Sequence, residues 1–117
     1  VDLYNTMTIK IPIETKQGVH TLPASSVIAV EAQGRKVVIH TTQRDFESIR
    51  NMQYWLELLP KNCFFQTHRS FIINFEHVTD FDRTLVHMAD EQFHAYLTKR
   101  KYSAFKEAYL LYLDSTR

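Results

Sequence analysis

Apolar residues in this chain come almost entirely in short alternating runs closed by turn residues, and that pattern most restricts the possible folds. "VIAVEA", "KVVIHT", "CFFQTH", "SFIINF", "HVTDFD", "TLVHMA" and "EQFHAYLT" are each strand-length and rich in β-branched or aromatic residues. Between the first two, Gln33-Gly34-Arg35 reads as a hairpin turn, with Gly34 supplying the positive φ that such turns need. "RDFESI" adds another strand, and Asp82-Arg83 and Asp90-Glu91 read as turns. Near the N-terminus, "MTIKIPI" (7–13) alternates, with Pro12 pointing to an edge strand or strand end, and a short strand follows the Lys16-Gln17-Gly18 turn. The chain is therefore expected to be mainly β, built of several small sheets.

Two segments carry helical spacing instead. Asn51 can cap "MQYWLELL", whose Met52, Trp55, Leu56 and Leu59 share a face, and Pro60 ends it. A helix so short holds only when its apolar face is packed on a sheet. "KRKYSAFKEAYLLYLD" repeats Tyr102, Phe105, Tyr109, Tyr112 and Leu113 at helical intervals. It reads as a terminal helix covering the open end of a sheet, with a dimer or partner surface as the alternative. At 117 residues there is room for one domain, and 44% hydrophobic residues argue for a folded core rather than disorder. The start at Val1, without Met or signal peptide, reads as a piece of a longer protein, with residues 1–6 a linker remnant. No apolar run approaches a membrane span, and the expected location is cytoplasmic.

Several chemistries find no support. Six His residues form no HxH, HxxH or HxxxH pair, and the single Cys63 offers no CxxC, so neither a zinc site nor any other cofactor is implied. Cys63 reads as a small buried hydrophobe. With 2 Gly there is no phosphate-cradling loop, and no nucleophile elbow or separated carboxylate pair points to catalysis.

Charge is more informative in its distribution than in its sum of +1. No acid occurs in 32–44, 58–75 or 92–106, and 9 of the 14 Lys and Arg lie there. Segregation of this kind leaves a basic face suited to nucleic acid, although chance clustering on solvated loops would look the same. The middle window contains "FFQTHRSFIINF" (64–75), where a polar island interrupts two apolar strands. Arg69 there offers a planar fork that matches guanine or a phosphate, and Thr67 and Ser70 offer hydroxyl donors. His68 can bind phosphate or hold the bend. Asn74 reads as a turn residue satisfying backbone groups.

The stretch "FFQTHRSFIINFEHVTDF" resembles the signature of the LytTR family of DNA-binding domains. "VIAVEAQGRKVVIHTT" looks like that family's hairpin, "MQYWLELLP" its short helix, and "AYLTKRKYSAFKE" its closing segment, so the similarity runs from about Met7 to Lys106. The resemblance implies an elongated, mainly β domain of several sheets, with one short internal helix and a C-terminal helical segment. It further implies sequence-specific binding of double-stranded DNA by loops entering successive major grooves, without catalysis. By position, Arg35, Arg69 and Arg100 would contact bases, with Lys36 or Gln33 as alternatives at the first loop. Lys36, Thr67, Ser70, Lys99 and Lys101 would contact phosphate, and His68 and Asn74 would support the loop. In an extended segment Lys99 and Lys101 would face opposite to Arg100. The family usually serves as the output domain of bacterial two-component response regulators. That implies an N-terminal phosphorylatable receiver outside this chain, and a dimer on direct repeats of promoter DNA, the isolated domain being monomeric. The rival reading is a non-catalytic β module binding a protein or small ligand, which predicts salt-insensitive binding.

Overall fold

The computed structural model describes residues 3–116; of the expected linker, Val1 and Asp2 lie outside the described residues. Ten strands form three antiparallel sheets. A hairpin pairs β1 (Lys10–Thr15) with β2 (Gly18–Pro23). A five-stranded sheet has the order β5 (Asp45–Ser48), β4 (Lys36–Thr41), β3 (Val27–Gln33), β7 (Phe71–Asn74), β6 (Phe64–His68). The third sheet joins β8 (Val78–Phe81), β9 (Leu85–Met88) and β10 (Phe93–Tyr96). The helices are α1 (Leu3–Thr8), α2 (Met52–Leu58) and α3 (Tyr102–Ser115).

The N-terminus differs from the sequence reading. Residues 3–8 are helical, and the first strand begins at Lys10 rather than Met7. Nothing in "LYNTMT" favours a helix strongly, because Asn and Thr are indifferent helix formers. Tertiary contacts hold it: Thr6 and Met7 are buried, Asn62 Nδ2 donates to Thr6 Oγ1 at 3.4 Å, and Ala24 N donates to Ile9 O at 2.8 Å just beyond the helix.

The five-stranded sheet is covered on both faces. Its centre is Val27, Ala29, Val30, Ile39, Ile72 and Ile73, all buried. Against one face lies α2, started by Asn51, whose side chain accepts from Tyr54 N at 2.9 Å. Trp55 is fully enclosed and its indole N–H donates to Ser48 Oγ at 3.0 Å, so its polar edge is satisfied inside the core. On the opposite face Phe93 of β10 packs on Phe71 and on His40. The aromatic residues of α3 close the far side: Phe105 meets Phe65, Phe75 and Phe81, and Tyr112 meets Phe75. That makes most of the stripe on α3 core, while Leu110 and Leu111 stay exposed. The dimensions, 38 × 32 × 25 Å, give a mild elongation.

Asn74 is completely buried. Its amide donates to Val27 O at 2.8 Å and Ala24 O at 3.3 Å, and its Oδ1 accepts from Glu76 N at 2.9 Å. One side chain thus satisfies backbone groups from two distant segments where β7 ends.

Candidate nucleic-acid interface

Antiparallel pairing sets where the polar island falls. Glu31 of β3 stands opposite Phe71 of β7, and one step further Ala32 N donates to Ser70 O at 2.9 Å. The C-terminal end of β3 and the start of β7 therefore lie together, so the turn after β3 and the turn before β7 leave the same end of the sheet. The first is Gly34-Arg35, flanked by the Gln33–Lys36 pair, with φ of 63° at Gly34. A positive φ at the first of two turn residues is what a tight hairpin needs to match strand twist. The second is Arg69-Ser70, closed by the His68–Phe71 pair.

The island is shaped by a bulge. Gln66 faces Ile72 and His68 faces Phe71, so Thr67 is an extra residue without a ladder partner. Thr67, two residues after Phe65, points inward and is 0% exposed, and the bulge brings His68 to the face of Phe71 as well. This corrects the expectation that Thr67 meets phosphate: the hydroxyl is inside the fold. His68 Nδ1 accepts from Ser70 N at 3.1 Å, which places the ring proton on Nε2 and holds the bend, with the ring packed against Phe71 and Tyr96. Arg69, between His68 and Ser70, projects into solvent.

The third basic segment also departs from the sequence reading. Residues Lys99–Lys101 form a 3-10 turn rather than an extended strand, so alternation does not govern which way they face. That turn is tied to the edge strand β6: Thr98 N donates to Thr67 O at 3.1 Å, and Lys101 Nζ donates to Gln66 O at 3.1 Å. Lys101 is half-buried, and its pKa is pushed down first by burial and then by neighbouring Arg100. Its ammonium thus has an internal partner, in contrast to the phosphate role expected of it. Lys99 and Arg100 are exposed.

The outcome is one end of the domain bearing Arg35 and Lys36, Arg69 and Ser70, and Lys99 and Arg100. The side chains of Arg35, Lys36, Arg69, Lys99 and Arg100 are exposed and make no hydrogen bond or ion pair with the described residues. Other cations are occupied elsewhere: Arg50 grips Glu14 through two bonds of 2.7 and 3.2 Å, and Arg44 lies over Phe46. The hairpin is stiffened by a polar chain in which His40 contacts Asp45 at 3.0 Å and Glu31 at 2.8 Å, and Gln33 donates to Glu31 at 3.0 Å. Glu31 is thereby held in place beneath the basic tip.

A family model for the LytTR DNA-binding domain matches residues 17–110. The chain belongs to the LytTR DNA-binding domain family. Among curated proteins, the transcriptional regulatory protein NatR of Bacillus subtilis is 29% identical over 105 residues, covering 86% of this chain and 45% of NatR. The sensory transduction protein LytR of Staphylococcus epidermidis is 29% identical over 68 residues, covering 58% of this chain and 27% of that protein. This LytTR domain thus spans less than half the length of either. A solved LytTR DNA-binding domain, from a Bacillus cereus protein described as a methyl-accepting/DNA response regulator, superposes with a TM-score of 0.71. It is 27% identical and covers 85% of this chain and 94% of that one. The mainly β, three-sheet architecture is accordingly a LytTR fold, and the domain is a DNA-binding one. Among the described residues no helix is long and apolar enough to cross a membrane, and no group of three His, Cys, Asp or Glu is placed to hold a metal.

Two residues beside the site escaped the sequence reading. Tyr96 ends β10 with 60% of its surface exposed, its ring 5.9 Å from His68 and 5.6 Å from Phe71. Arg83 lies over Tyr102, the residue after the 3-10 turn, at 4.6 Å. A search for acid-free windows passes over Arg83 because Asp82 precedes it. Yet Asp82 is spent locally: its carboxylate accepts from Thr84 N and Leu85 N at 2.8 and 2.9 Å, which holds its pKa below the usual range.

Proposed function

We propose that this LytTR domain binds double-stranded DNA sequence-specifically by laying its strand-end loops into successive major grooves. Arg35, Arg69 and Arg100 read base edges, and Lys36, Ser70 and Lys99 bond phosphates. The observation that carries this reading is the convergence of three exposed basic segments on one end of the domain, none of them an α-helix. A guanidinium fork can donate two parallel bonds to guanine O6 and N7, and each such contact adds about 1–3 kcal/mol of discrimination. Lysine and hydroxyl contacts to phosphate set register and carry most of the salt dependence.

In the whole protein the domain serves as the output module of a bacterial transcriptional regulator of the two-component type. A receiver precedes it, and a dimer places two domains on direct repeats. The names of NatR and LytR support that assignment, as does the fraction of their length that lies outside the matched region.

The test is selection of bound sequences from a random duplex pool, with binding repeated across a salt series. Enrichment of a short motif, with affinity falling steeply as salt rises, supports the reading. Weak, salt-insensitive retention without enrichment overturns it in favour of a module for protein or small ligands.

A further inference from the structure

We propose that Lys101, with the backbone of Thr67 and Thr98, forms a strut that sets the spacing between the Arg69 loop and the Arg100 loop, and is a positioning residue rather than a DNA contact. The inference rests on the reading that Arg69 and Arg100 face DNA, and it adds how two separate loops keep one register.

The two loops come from elements that no ladder joins. Arg69 follows β6, in the five-stranded sheet, whereas Arg100 follows β10, in the three-stranded sheet. The two sheets pack through rings, Phe93 on Phe71 and Tyr96 on His68, but ring packing sets no hydrogen-bond register between the loops. Two bonds cross the gap, from Thr98 N to Thr67 O and from Lys101 Nζ to Gln66 O, both 3.1 Å. Each acceptor lies in or beside the bulge, where the irregular register frees carbonyls from the β7 ladder. The 3-10 turn is closed on itself by Lys101 N donating to Thr98 O at 3.0 Å, so the strut and the loop that bears Arg100 form one rigid piece.

Lys101 is chemically suited to the role. It borders an apolar groove with Trp55, Phe65 and Ile72 and is half-buried there. A bond from a charged ammonium to a carbonyl is stronger than one between neutral groups. Lys99 and Arg100 have no such partner among the described residues and stay available to DNA. Three adjacent cations therefore divide into two that face out and one that holds the turn.

The first experiment compares Lys101→Met with Lys99→Ala in this chain on the selected DNA. Lys101→Met should weaken specific binding roughly tenfold, leave non-specific binding intact and leave the salt slope unchanged. Its selected motif should keep the bases read by Arg69 and Arg100 but tolerate a changed spacing between them. Lys99→Ala should lower the salt slope by about one and weaken both kinds of site alike. A slope that falls for Lys101→Met as it does for Lys99→Ala overturns the strut, and so does wild-type binding with wild-type spacing.

A second measurement needs no variant to fold. Limited acetylation of the unmodified protein, read by mass spectrometry, should find the reactivity of Lys101 the same with and without DNA, and Lys99 protected by DNA. Ready labelling of free Lys101 that DNA then suppresses overturns the proposal. Arg69→Ala and Arg100→Ala are run alongside: if neither changes the selected motif, the base-reading assignment fails, a result the acetylation pattern cannot imitate.

Discussion

Thr67→Val tests the reading of the bulge most directly. Thr67 is 0% exposed, and its Oγ1 is buried without a hydrogen-bond partner among the described residues. An unpaired buried hydroxyl costs about 1–3 kcal/mol. Valine has the same branching, keeps the same χ1 preference in a strand and replaces the hydroxyl with a methyl, removing that penalty without opening a cavity. Burying the methyl contributes up to about 0.8 kcal/mol more. Slight crowding around the larger group offsets part of the gain, leaving an expected stabilisation of about 1–2 kcal/mol. For a domain of this length that raises Tm by roughly 4–8 °C. Urea unfolding should show a higher midpoint at an unchanged m-value, and DNA affinity and salt slope should stay as in the wild type. A loss of stability of about 1 kcal/mol or more would refute the unpaired-hydroxyl argument. A stable variant with a lower salt slope would instead return Thr67 to the phosphate backbone.

Other expected outcomes follow from individual contacts. Arg69→Ala should broaden the selected motif at one base pair with the thermal midpoint unchanged, because the side chain makes no hydrogen bond or ion pair with the described residues; a melted circular dichroism spectrum would count against its loop placement. Asn74→Ala should destabilise the domain by roughly 3 kcal/mol in urea unfolding, since it strands backbone groups at Ala24, Val27 and Glu76 in the core. Burial pushes the Cys63 thiol up to about 11 from an ordinary 9.0. A thiol whose folded pKa is raised favours the native state fully below its unfolded pKa, and that contribution is lost as pH rises through about 11. The stability difference between wild type and Cys63→Ala should therefore shrink between pH 9.0 and about 11, and a thiol reagent at pH 8 should modify native Cys63 only slowly.

What the sequence determined by itself is what local chemistry decides. Alternation with period two marked the strands, and Gly34 marked a turn because a positive φ there costs glycine nothing. Asn51 and Pro60 bracketed α2, where capping and the end of the helical ladder depend on neighbours only a few residues apart. The aromatic spacing on α3 likewise showed its inward face. Exposure of Arg35 and Arg69 was legible because polar residues between apolar strands occupy turns.

Tertiary structure decided everything that depends on residues far apart in the chain. Pairing of residues 29–31 with 71–73 is what carries the Arg35 and Arg69 turns to the same sheet end, and no local signal encodes that partner choice. Burial of Thr67 depends on the distant segment packed over the end of β6, and the bulge there breaks period two and sends the next side chain, His68, to the face of Phe71. "TKRK" carries no helical or turn signature of its own; the carbonyls of Gln66 and Thr67, about thirty residues earlier, hold it in a 3-10 turn and leave Lys101 half-buried. α1 is helical for the same kind of reason, held by burial of Met7 and the contact with Asn62 rather than by its own propensity. Which charges could point outward was written along the chain; how far apart they stand was decided by carbonyl groups in other strands.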